Sequence, residues 1–239
     1  MERYSVIKQK NPREIVLLRG SGCKWKRCTF CDYHFDYSTD EEENYLLNKN
    51  ALDKVQGIYG KLEVINSGSF CDLDERTMES IFDVCKNKAI NTLHFECHYV
   101  HKNAVADLKR KFRNIGVDVR IKTGVETFDV DYREKILVKG FGKSTPEDIR
   151  KYADEVCLLF GLKNQTVQSM KYDIETGLKY FDRVCVNIMT PNSTEIKPDY
   201  DVIKAFSSEI APLYIDNERV DILMENTDFG VGSEDNKEV

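Results

Sequence analysis

Three cysteines in the first part of the chain have the spacing of metal ligands. Cys23, Cys28 and Cys31 form a C-x4-C-x2-C pattern within the sequence RGSGCKWKRCTFCDY. Thiolates are the usual ligands of iron–sulfur clusters, and a cube held by only three of them has one iron open to a small-molecule ligand. Gly20 and Gly22 permit the tight backbone turn that such a loop requires. The sequence therefore predicts a four-iron, four-sulfur (4Fe-4S) site.

Zinc is the alternative metal for the same segment. His34 lies three residues after Cys31, so a tetrahedral site of three cysteines and one histidine is geometrically conceivable. Structural zinc sites usually lie in knuckles or ribbons, whereas this segment directly follows a predicted strand. A zinc-binding protein without catalytic activity therefore stays open as a second interpretation.

Short apolar segments alternate with longer amphipathic ones, and these elements must position the cysteines. Near-continuous apolar strands separated by helices predict an α/β fold with a parallel sheet covered by helices. About six such units suit a partial (βα)6 barrel better than a complete eightfold barrel, which needs about 250 residues. Strands are predicted at Glu14–Arg19, Lys61–Asn66, Asn91–Cys97, Val117–Lys122, Glu155–Phe160, Arg183–Met189 and Arg219–Met224. Helices are predicted at Arg76–Lys88 and Tyr172–Phe181.

Length, composition and charge exclude several classes of protein. The chain has 239 residues, of which 41% are hydrophobic and 32% charged, as in ordinary globular domains. No apolar run approaches the about 18 residues of a membrane span, and the N-terminus lacks the apolar region of a signal peptide. We therefore expect a cytoplasmic protein without a membrane partner. A net charge of −6 argues against a stable nucleic-acid partner. A single domain over residues 1–232 and a disordered tail over 233–239 are predicted.

The third predicted strand carries titratable side chains on one face. His94, Glu96 and His98 alternate along it, so all three are expected to point the same way. A charged side chain inside a barrel destabilises the fold unless it contacts a ligand or a polar or oppositely charged group. Glu96 is therefore a candidate catalytic residue and also a candidate ligand of the cofactor. His98 is a candidate proton donor. A layer of mutually paired polar groups is the alternative for the histidines.

The cysteine segment resembles that of radical S-adenosylmethionine (SAM) enzymes, whose cluster loop follows the first strand of a partial (βα)6 barrel. Its spacing is one residue longer than the commonest pattern of that superfamily, C-x3-C-x2-C. Together with the later segments NSGSF and GVET, the loop is most similar to that of the queuine lyases of Firmicutes. The resemblance implies a 4Fe-4S cluster, SAM and an electron donor such as flavodoxin or ferredoxin.

The same resemblance implies which residues bind SAM. Phe30 has the position of the aromatic residue that packs against the adenine. Glu126, in the GVET segment, is implied to accept the ribose hydroxyls, and Lys122 to pair with the methionine carboxylate. The glycine-rich element that binds the amino group of SAM matches Asn66, Ser67, Gly68 and Ser69.

The resemblance further implies the reaction. Queuine lyases cleave queuine to 7-aminomethyl-7-deazaguanine by breaking a carbon–nitrogen bond, through a 5′-deoxyadenosyl radical. A carboxylate reads the adjacent N–H donors of a guanine-like face in bidentate fashion. Polar residues near the last two strands are candidates for binding this small-molecule substrate: Asn187, Asn192, Glu225 and Asp228. Which carboxylate reads the base stays open, as does another nucleobase or small molecule as substrate.

Overall fold

The computed structural model describes residues 2–224, apart from the side chain of His34. They form two compact units. The first unit contains the chain up to Lys26 and then Tyr33–Lys122, and the second contains Arg27–Asp32 and the chain from Thr123 onward. The single domain over residues 1–232 stays a prediction, and the tail over 233–239 lies outside the described residues.

All seven predicted strands are present, and an additional strand precedes them. The missed strand is β1, which is short and only half-buried and so lacks a clear apolar pattern. The fifth strand continues to Glu126 instead of ending at Lys122 as predicted. The strands of the described residues are β1 (Tyr4–Ile7), β2 (Arg13–Leu18), β3 (Lys61–Asn66), β4 (Thr92–Glu96), β5 (Asp118–Glu126), β6 (Glu155–Phe160), β7 (Arg183–Ile188) and β8 (Val220–Leu223).

The helices connect successive strands, and several begin at a side chain that caps the first turn. Asp74 precedes α2 and accepts a hydrogen bond from the backbone N–H of Thr77, as expected of a helix N-cap. Both predicted helices are confirmed, although the second begins earlier than predicted. The helices of the described residues are α1 (Glu41–Leu52), α2 (Glu75–Asn87), α3 (Val105–Arg113), α4 (Pro146–Arg150), α5 (Val167–Tyr180), α6 (Tyr200–Ala205) and α7 (Ala211–Tyr214).

In the first unit, strands β2 to β5 are parallel, and β1 pairs with β2 in the antiparallel direction. Their apolar side chains are almost fully buried, including Val16, Val64 and Phe95. Because the carboxyl ends of parallel strands meet at one edge of a sheet, the loops after β2, β3 and β4 leave from the same edge. This edge carries Cys23 and Ser69.

In the second unit, β6, β7 and β8 are parallel neighbours, and α5 packs against β6 and β7. The helix approaches closely at Gly177, where a Cβ atom would lie 2.6 Å from a methyl carbon of Val184. Ile174, one turn earlier, is fully buried. No helix among residues 2–224 is long and apolar enough to cross a membrane.

A buried carboxylate fixes the amino end of β2 in the first unit. Glu14 is fully buried and accepts hydrogen bonds from the backbone N–H groups of Gln56, Gly57 and Ile58, at 2.6, 2.6 and 3.0 Å. It also accepts one from the hydroxyl of Tyr4 at 2.9 Å. These charge-assisted bonds hold the segment between α1 and β3 against the start of β2.

Glu14→Gln is expected to lower the free energy of unfolding by about 2 kcal/mol or more. The NH2 group of glutamine is a donor, so backbone N–H groups that now bind the carboxylate would face another donor and lose their acceptor. Urea unfolding followed by circular dichroism measures the change. Glu79→Gln, on the exposed face of α2, is the matched control and is expected to change stability by less than about 0.5 kcal/mol. Equal stabilities of the two variants would contradict a structural role for Glu14.

Candidate active site

Glycines bring the loop that carries Cys23 into close contact with the turn after β3. A Cβ atom at Gly20 would lie 2.4 Å from the carbonyl oxygen of Asp72. A Cβ atom at Gly68 would lie 3.2 Å from the Cα of Cys23. The backbone N–H of Ser21 donates a hydrogen bond to the Asp72 carbonyl at 2.8 Å. Since the space excludes side chains at both glycines, the first predicted cluster ligand packs directly on the NSGSF segment.

Hydrogen bonds fix the NSGSF segment itself. The backbone N–H of Ser69 donates to Asp72 Oδ2 at 2.7 Å, and Ser69 Oγ accepts from the backbone N–H of His98 at 2.9 Å. The amide nitrogen of Asn66 donates to the Ser69 carbonyl at 3.1 Å. Asn66 Oδ1 is buried and accepts no hydrogen bond from the described residues. Buried acceptors are nearly always satisfied, so this oxygen fits a donor on a ligand, such as the amino group of SAM.

Of the three residues predicted to share one face of the third strand, two lie on the strand and one lies beyond it. The strand, β4, ends at Glu96, and His98 lies beyond it, so the expected alternation of His98 with His94 is wrong. His98 Nδ1 accepts from the backbone N–H of Val100 at 3.2 Å, and its ring stacks on Trp25 with centroids 5.5 Å apart. With Nδ1 accepting, Nε2 is the nitrogen that carries the proton of the neutral ring. The roles of Glu96 and His98 stay predictions.

Lys122 takes part in a buried group of charges in the first unit. Glu63 accepts hydrogen bonds from Lys122 Nζ and from Arg13 Nε, and its side chain is almost fully buried. Burial opposes ionisation of Glu63, but the charges of Arg13, Lys122 and His94 outweigh it and hold the pKa of this carboxyl well below its usual range. The ammonium of Lys122 is therefore held by Glu63. Its role toward the methionine carboxylate stays a prediction.

In the second unit, a buried lysine places positive charge near Cys28 and Cys31. Lys139 Nζ lies 3.0 Å from Glu126 Oε1, with both side chains buried, and 5.5 Å from the centroid of the Phe30 ring. Burial alone would lower the pKa of Lys139, but attraction to Glu126, Cys28 and Cys31 outweighs burial and raises it. The lysine is thus charged, and it links the candidate ribose ligand, the candidate adenine-packing ring and two of the three cysteines.

Glu126 has a backbone conformation that residues other than glycine rarely adopt. Its φ angle is +69°, and backbone strain of this kind is concentrated at functional sites. The following segment is held in place by Asp173 on α5, whose Oδ1 accepts from the backbone N–H of Phe128 at 2.8 Å. Burial raises the pKa of Asp173 to about 6. The end of β5 is therefore fixed on both sides, by Lys139 and by Asp173.

The predicted substrate residues are only partly described. Glu225 and Asp228 lie outside the described residues. Asn192 donates to the Phe30 carbonyl at 2.7 Å and accepts from the hydroxyl of Thr194 at 2.8 Å, so both ends of its amide already bind protein. Asn187 lies on β7 and is partly exposed. Substrate binding by these four residues stays a prediction, while the observed contact of Asn192 is with the cysteine loop.

Sequence reasoning missed several residues that the structure brings to these positions. Lys139 lies in a segment without a recognisable motif, and only its contacts with Glu126 and Phe30 reveal it. Asp72 follows the NSGSF segment by two residues and looks like an ordinary helix-capping residue in the sequence. The only local signal for Asp173 is its place in an amphipathic helix, which does not indicate a partner in another element.

The cysteines differ in the state of their thiols. Burial raises the pKa of Cys85 and Cys97 to about 12 and that of Cys71 to about 11, so these thiols stay protonated at neutral pH. No disulfide joins any of the eight cysteines, all of which lie within the described residues. Within residues 2–224, no three His, Cys, Asp or Glu side chains lie close enough together to bind a metal ion. The three cysteines of the loop are partly exposed.

The type and number of the donor atoms fit a cluster with an open coordination site. One short loop supplies three thiols, as an iron–sulfur cube with one open iron requires, although these thiols do not converge on a common point in the described residues. In the first unit, the unsatisfied Asn66 Oδ1 lies on the segment that packs against Cys23. In the second unit, Lys139 places positive charge beside Cys28 and Cys31.

The chain is similar to several solved structures, of which two are described here. Queuine lyase from Clostridium spiroforme, in a structure bound to SAM and queuine, has 42% sequence identity and a TM-score of 0.92, with 98% of this chain and 100% of that chain covered. Methylornithine synthase has 17% identity and a TM-score of 0.57, with 87% of this chain and 63% of that chain covered, and shows the fold alone. No family model and no curated protein sequence matches the chain.

The fold shared with both neighbours confirms the predicted partial (βα)6 barrel, and with the cysteine loop it defines an enzyme of the radical SAM class. Enzymes of this class use a 4Fe-4S cluster and SAM as cofactors. Identity of 42% over 98% of its length shows more than the class: the chain belongs to the queuine lyase family.

Lys139→Met is expected to lower the free energy of unfolding by about 3–5 kcal/mol, because it leaves Glu126 buried without its partner. Adding Glu126→Gln is expected to restore most of the loss, since no uncompensated charge remains. Urea unfolding of the three proteins measures both effects. Lys135→Met, which breaks an exposed pair with Asp131, is the control and is expected to cost less than about 1 kcal/mol. A double variant as unstable as the single one would contradict the pairing.

Proposed function

We propose that this protein cleaves queuine and releases 7-aminomethyl-7-deazaguanine by breaking the bond between the amine nitrogen and the cyclopentenediol. The single observation that carries the proposal is the match, over 98% of the chain, to a queuine lyase bound to SAM and queuine. The three-cysteine loop supports it, because the reaction needs a cluster with one open iron.

We assign the cluster to Cys23, Cys28 and Cys31 and the binding of SAM to the residues around them. When bound, the cluster and SAM supply a 5′-deoxyadenosyl radical that takes a hydrogen atom from the substrate. Asn66 Oδ1 accepts from the amino group of SAM, and Ser67, Gly68 and Ser69 give the segment its shape. Support comes from the close packing of Gly68 on Cys23 and from the buried, unsatisfied oxygen.

Residues of the second unit are assigned to the adenosine part of SAM. Glu126 accepts hydrogen bonds from the ribose hydroxyls, and Phe30 packs against the adenine. The ion pair of Glu126 with Lys139 supports this assignment, because it fixes the position of the carboxylate, whose oxygens can accept hydrogen bonds from both hydroxyls. Lys122 is assigned to pair with the methionine carboxylate. Its ammonium now contacts Glu63, and it either leaves Glu63 for the ligand or binds both carboxylates.

Proton transfer and substrate binding are assigned to the remaining candidates. The departing amine nitrogen gains a proton when the carbon–nitrogen bond breaks, and we assign the donor to His98, whose Nε2 carries the proton when Nδ1 accepts from Val100. Glu96 orients SAM or the substrate from the end of β4. The base is read by a carboxylate of Glu225 or Asp228, with amide contacts from Asn187 and Asn192.

We also propose that the protein acts in the cytoplasm and receives its electron from flavodoxin or ferredoxin. Eight cysteines without a disulfide suit a reducing compartment, where thiols are not oxidised. A cluster that is reduced once in each reaction needs a one-electron donor, and both of these carriers deliver single electrons.

The reconstituted protein, incubated anaerobically with SAM, dithionite and queuine, is expected to form 7-aminomethyl-7-deazaguanine and 5′-deoxyadenosine, both measured by mass spectrometry. Cys28→Ala is expected to form neither product, because the cube loses one of its three thiolates. Cys157→Ala, outside the loop on β6, is the matched control and is expected to form both.

The products distinguish the alternatives. Formation of 5′-deoxyadenosine without the amine, from queuine and from its nucleoside, would assign the enzyme to another nucleobase or small molecule. Bound zinc instead of iron, together with no 5′-deoxyadenosine, would overturn the enzymatic assignment itself.

Asn66→Leu is expected to weaken SAM binding by about tenfold to hundredfold, since a hydrogen bond to a charged donor contributes about 1.5–3 kcal/mol. The iron content is expected to stay that of the parent protein, because Asn66 is not a cluster ligand. Isothermal titration of the holoprotein measures the affinity. Asn87→Leu, at the exposed end of α2, makes the same change away from the site and serves as the control. Unaltered affinity in Asn66→Leu would mean that NSGSF is an ordinary turn.

A further inference from the structure

A histidine in the loop after β4 lies beside the carboxylate that shapes the NSGSF segment. His101 Nε2 lies 3.6 Å from Asp72 Oδ1. This ring nitrogen is buried and makes no hydrogen bond to the residues that the structure describes. Buried polar atoms nearly always have a partner, and a shift of about 0.5 Å brings these two atoms to hydrogen-bond distance. The carboxylate of Asp72 is therefore the acceptor that His101 faces.

The two carboxylate oxygens of Asp72 point to different elements. Oδ2 accepts a hydrogen bond from the backbone N–H of Ser69 at 2.7 Å, while Oδ1 faces His101. The backbone N–H of Asp72 donates in turn to the Ser69 carbonyl at 2.8 Å. Because the two oxygens belong to one rigid planar group, a donor at Oδ1 also fixes the direction in which Oδ2 meets Ser69.

Further hydrogen bonds close a ring between the loops that follow β3 and β4. The backbone N–H of His98 donates to Ser69 Oγ at 2.9 Å, and the backbone N–H of His101 donates to the His98 carbonyl at 2.9 Å. Ser69, Asp72, His101 and His98 thus follow one another around the ring, and all four belong to the first unit. Hydrogen bonds join three of its sides. The fourth side is the contact of His101 with Asp72.

The position of Ser69 decides how the amide of Asn66 is oriented. The Ser69 carbonyl accepts from Asn66 Nδ2 at 3.1 Å, so the nitrogen end of the amide is bound to protein. The oxygen end, Oδ1, is buried and accepts no hydrogen bond from the described residues. Since an amide carries its donor and its acceptor on opposite ends, the bond to Ser69 leaves Oδ1 available to a ligand.

The other ionisable groups near Asp72 are less suited to hold its carboxylate. Burial raises the pKa of Asp72, whereas its backbone hydrogen bond and the attraction of His101 and Lys24 act in the opposite direction. Lys24 is exposed, so water screens its charge. The thiols of Cys71 and Cys97 have raised pKa values and are neutral at neutral pH. The donor that meets Asp72 away from water is His101.

We propose that His101 is a positioning residue for the binding of SAM. Its Nε2 donates to Asp72 Oδ1 and so holds Ser69, and through Ser69 the amide of Asn66, in the arrangement that accepts the amino group of the ligand. The proposal rests on the proposed function in that SAM is the ligand of the NSGSF segment. His101 acts through Asp72 and makes no contact with the ligand itself.

The test uses a pair of substitutions that differ in whether a donor reaches Asp72. His101→Phe keeps a ring and removes both nitrogens, whereas His101→Gln removes the ring and keeps an N–H donor at about the place of Nε2. Asn103→Leu, at an exposed position of the same loop, is the control. If His101→Phe does not fold, His101→Asn replaces it, because its amide is too short to reach Asp72.

Two properties of each reconstituted holoprotein are measured. Isothermal titration gives the affinity for SAM. Backbone hydrogen exchange of residues 66–72, followed by mass spectrometry in the absence of SAM, reports directly on the order of the segment. Iron content is determined in parallel, and it is expected to equal that of the parent protein in every variant, since His101 is not assigned to the cluster.

We expect His101→Phe to bind SAM about tenfold more weakly than the parent protein and to exchange faster over residues 66–72. His101→Gln is expected to stay within about threefold of the parent affinity, and Asn103→Leu to equal the parent. In an Asp72→Asn background, adding His101→Phe is expected to lower the affinity by less than about twofold, because the histidine acts through the carboxylate that has been removed.

Three results would overturn the positioning role. The first is equal SAM affinity in His101→Phe and in the control. The second is a His101→Gln protein that binds SAM no better than His101→Phe, since the ring would then serve packing alone. The third is a full tenfold loss in the Asp72→Asn background. A parent holoprotein that does not bind SAM would instead refute the proposed function. Exchange over residues 66–72 would still decide whether His101 holds this segment, and unchanged exchange in His101→Phe would exclude it.

Discussion

Asp72 joins the parts of the first unit on which the candidate site depends. Its carbonyl accepts from the backbone and the hydroxyl of Ser21, its carboxylate accepts from the backbone of Ser69, and His101 Nε2 lies 3.6 Å from the carboxylate. Both Gly20 and Gly68 face it so closely that no side chain fits. The first cysteine and the polar turn after β3 are therefore held together by one short segment. Both loops are already ordered, so little conformational entropy is lost when a ligand binds.

In the second unit, a buried charge lies at the candidate site, beside two of the cysteines. A buried Lys139 next to Glu126, Cys28 and Cys31 would be costly without its anionic neighbours, since burial works against the charged form. With them, the pKa of Lys139 is raised and its ammonium stays charged. The strained φ of Glu126 fits this pattern, because the surrounding contacts hold a conformation that the residue alone would avoid.

Local patterns in the sequence were sufficient for the seven predicted strands and for the cysteine loop, since apolar runs and short-range spacing are both visible along the chain. They failed where the outcome depends on a partner far away in sequence. The buried pair of Lys122 with Glu63 joins residues on different strands, and the exit of His98 from β4 follows from its backbone bond to Ser69. The pair of Lys139 with Glu126 likewise depends on how the end of β5 turns, which no motif records.

The hydrogen bond from Asn192 to the Phe30 carbonyl has a consequence for biosynthesis. Phe30 and its neighbours pack with elements that begin at Thr123, and the asparagine that holds them comes 162 positions later in the chain. A ribosome therefore delivers the cysteine segment 162 residues before the side chain that anchors it. Until Asn192 has been synthesised, the Phe30 carbonyl lacks this hydrogen bond, so the anchored conformation of the loop forms after translation of the cysteines and not during it.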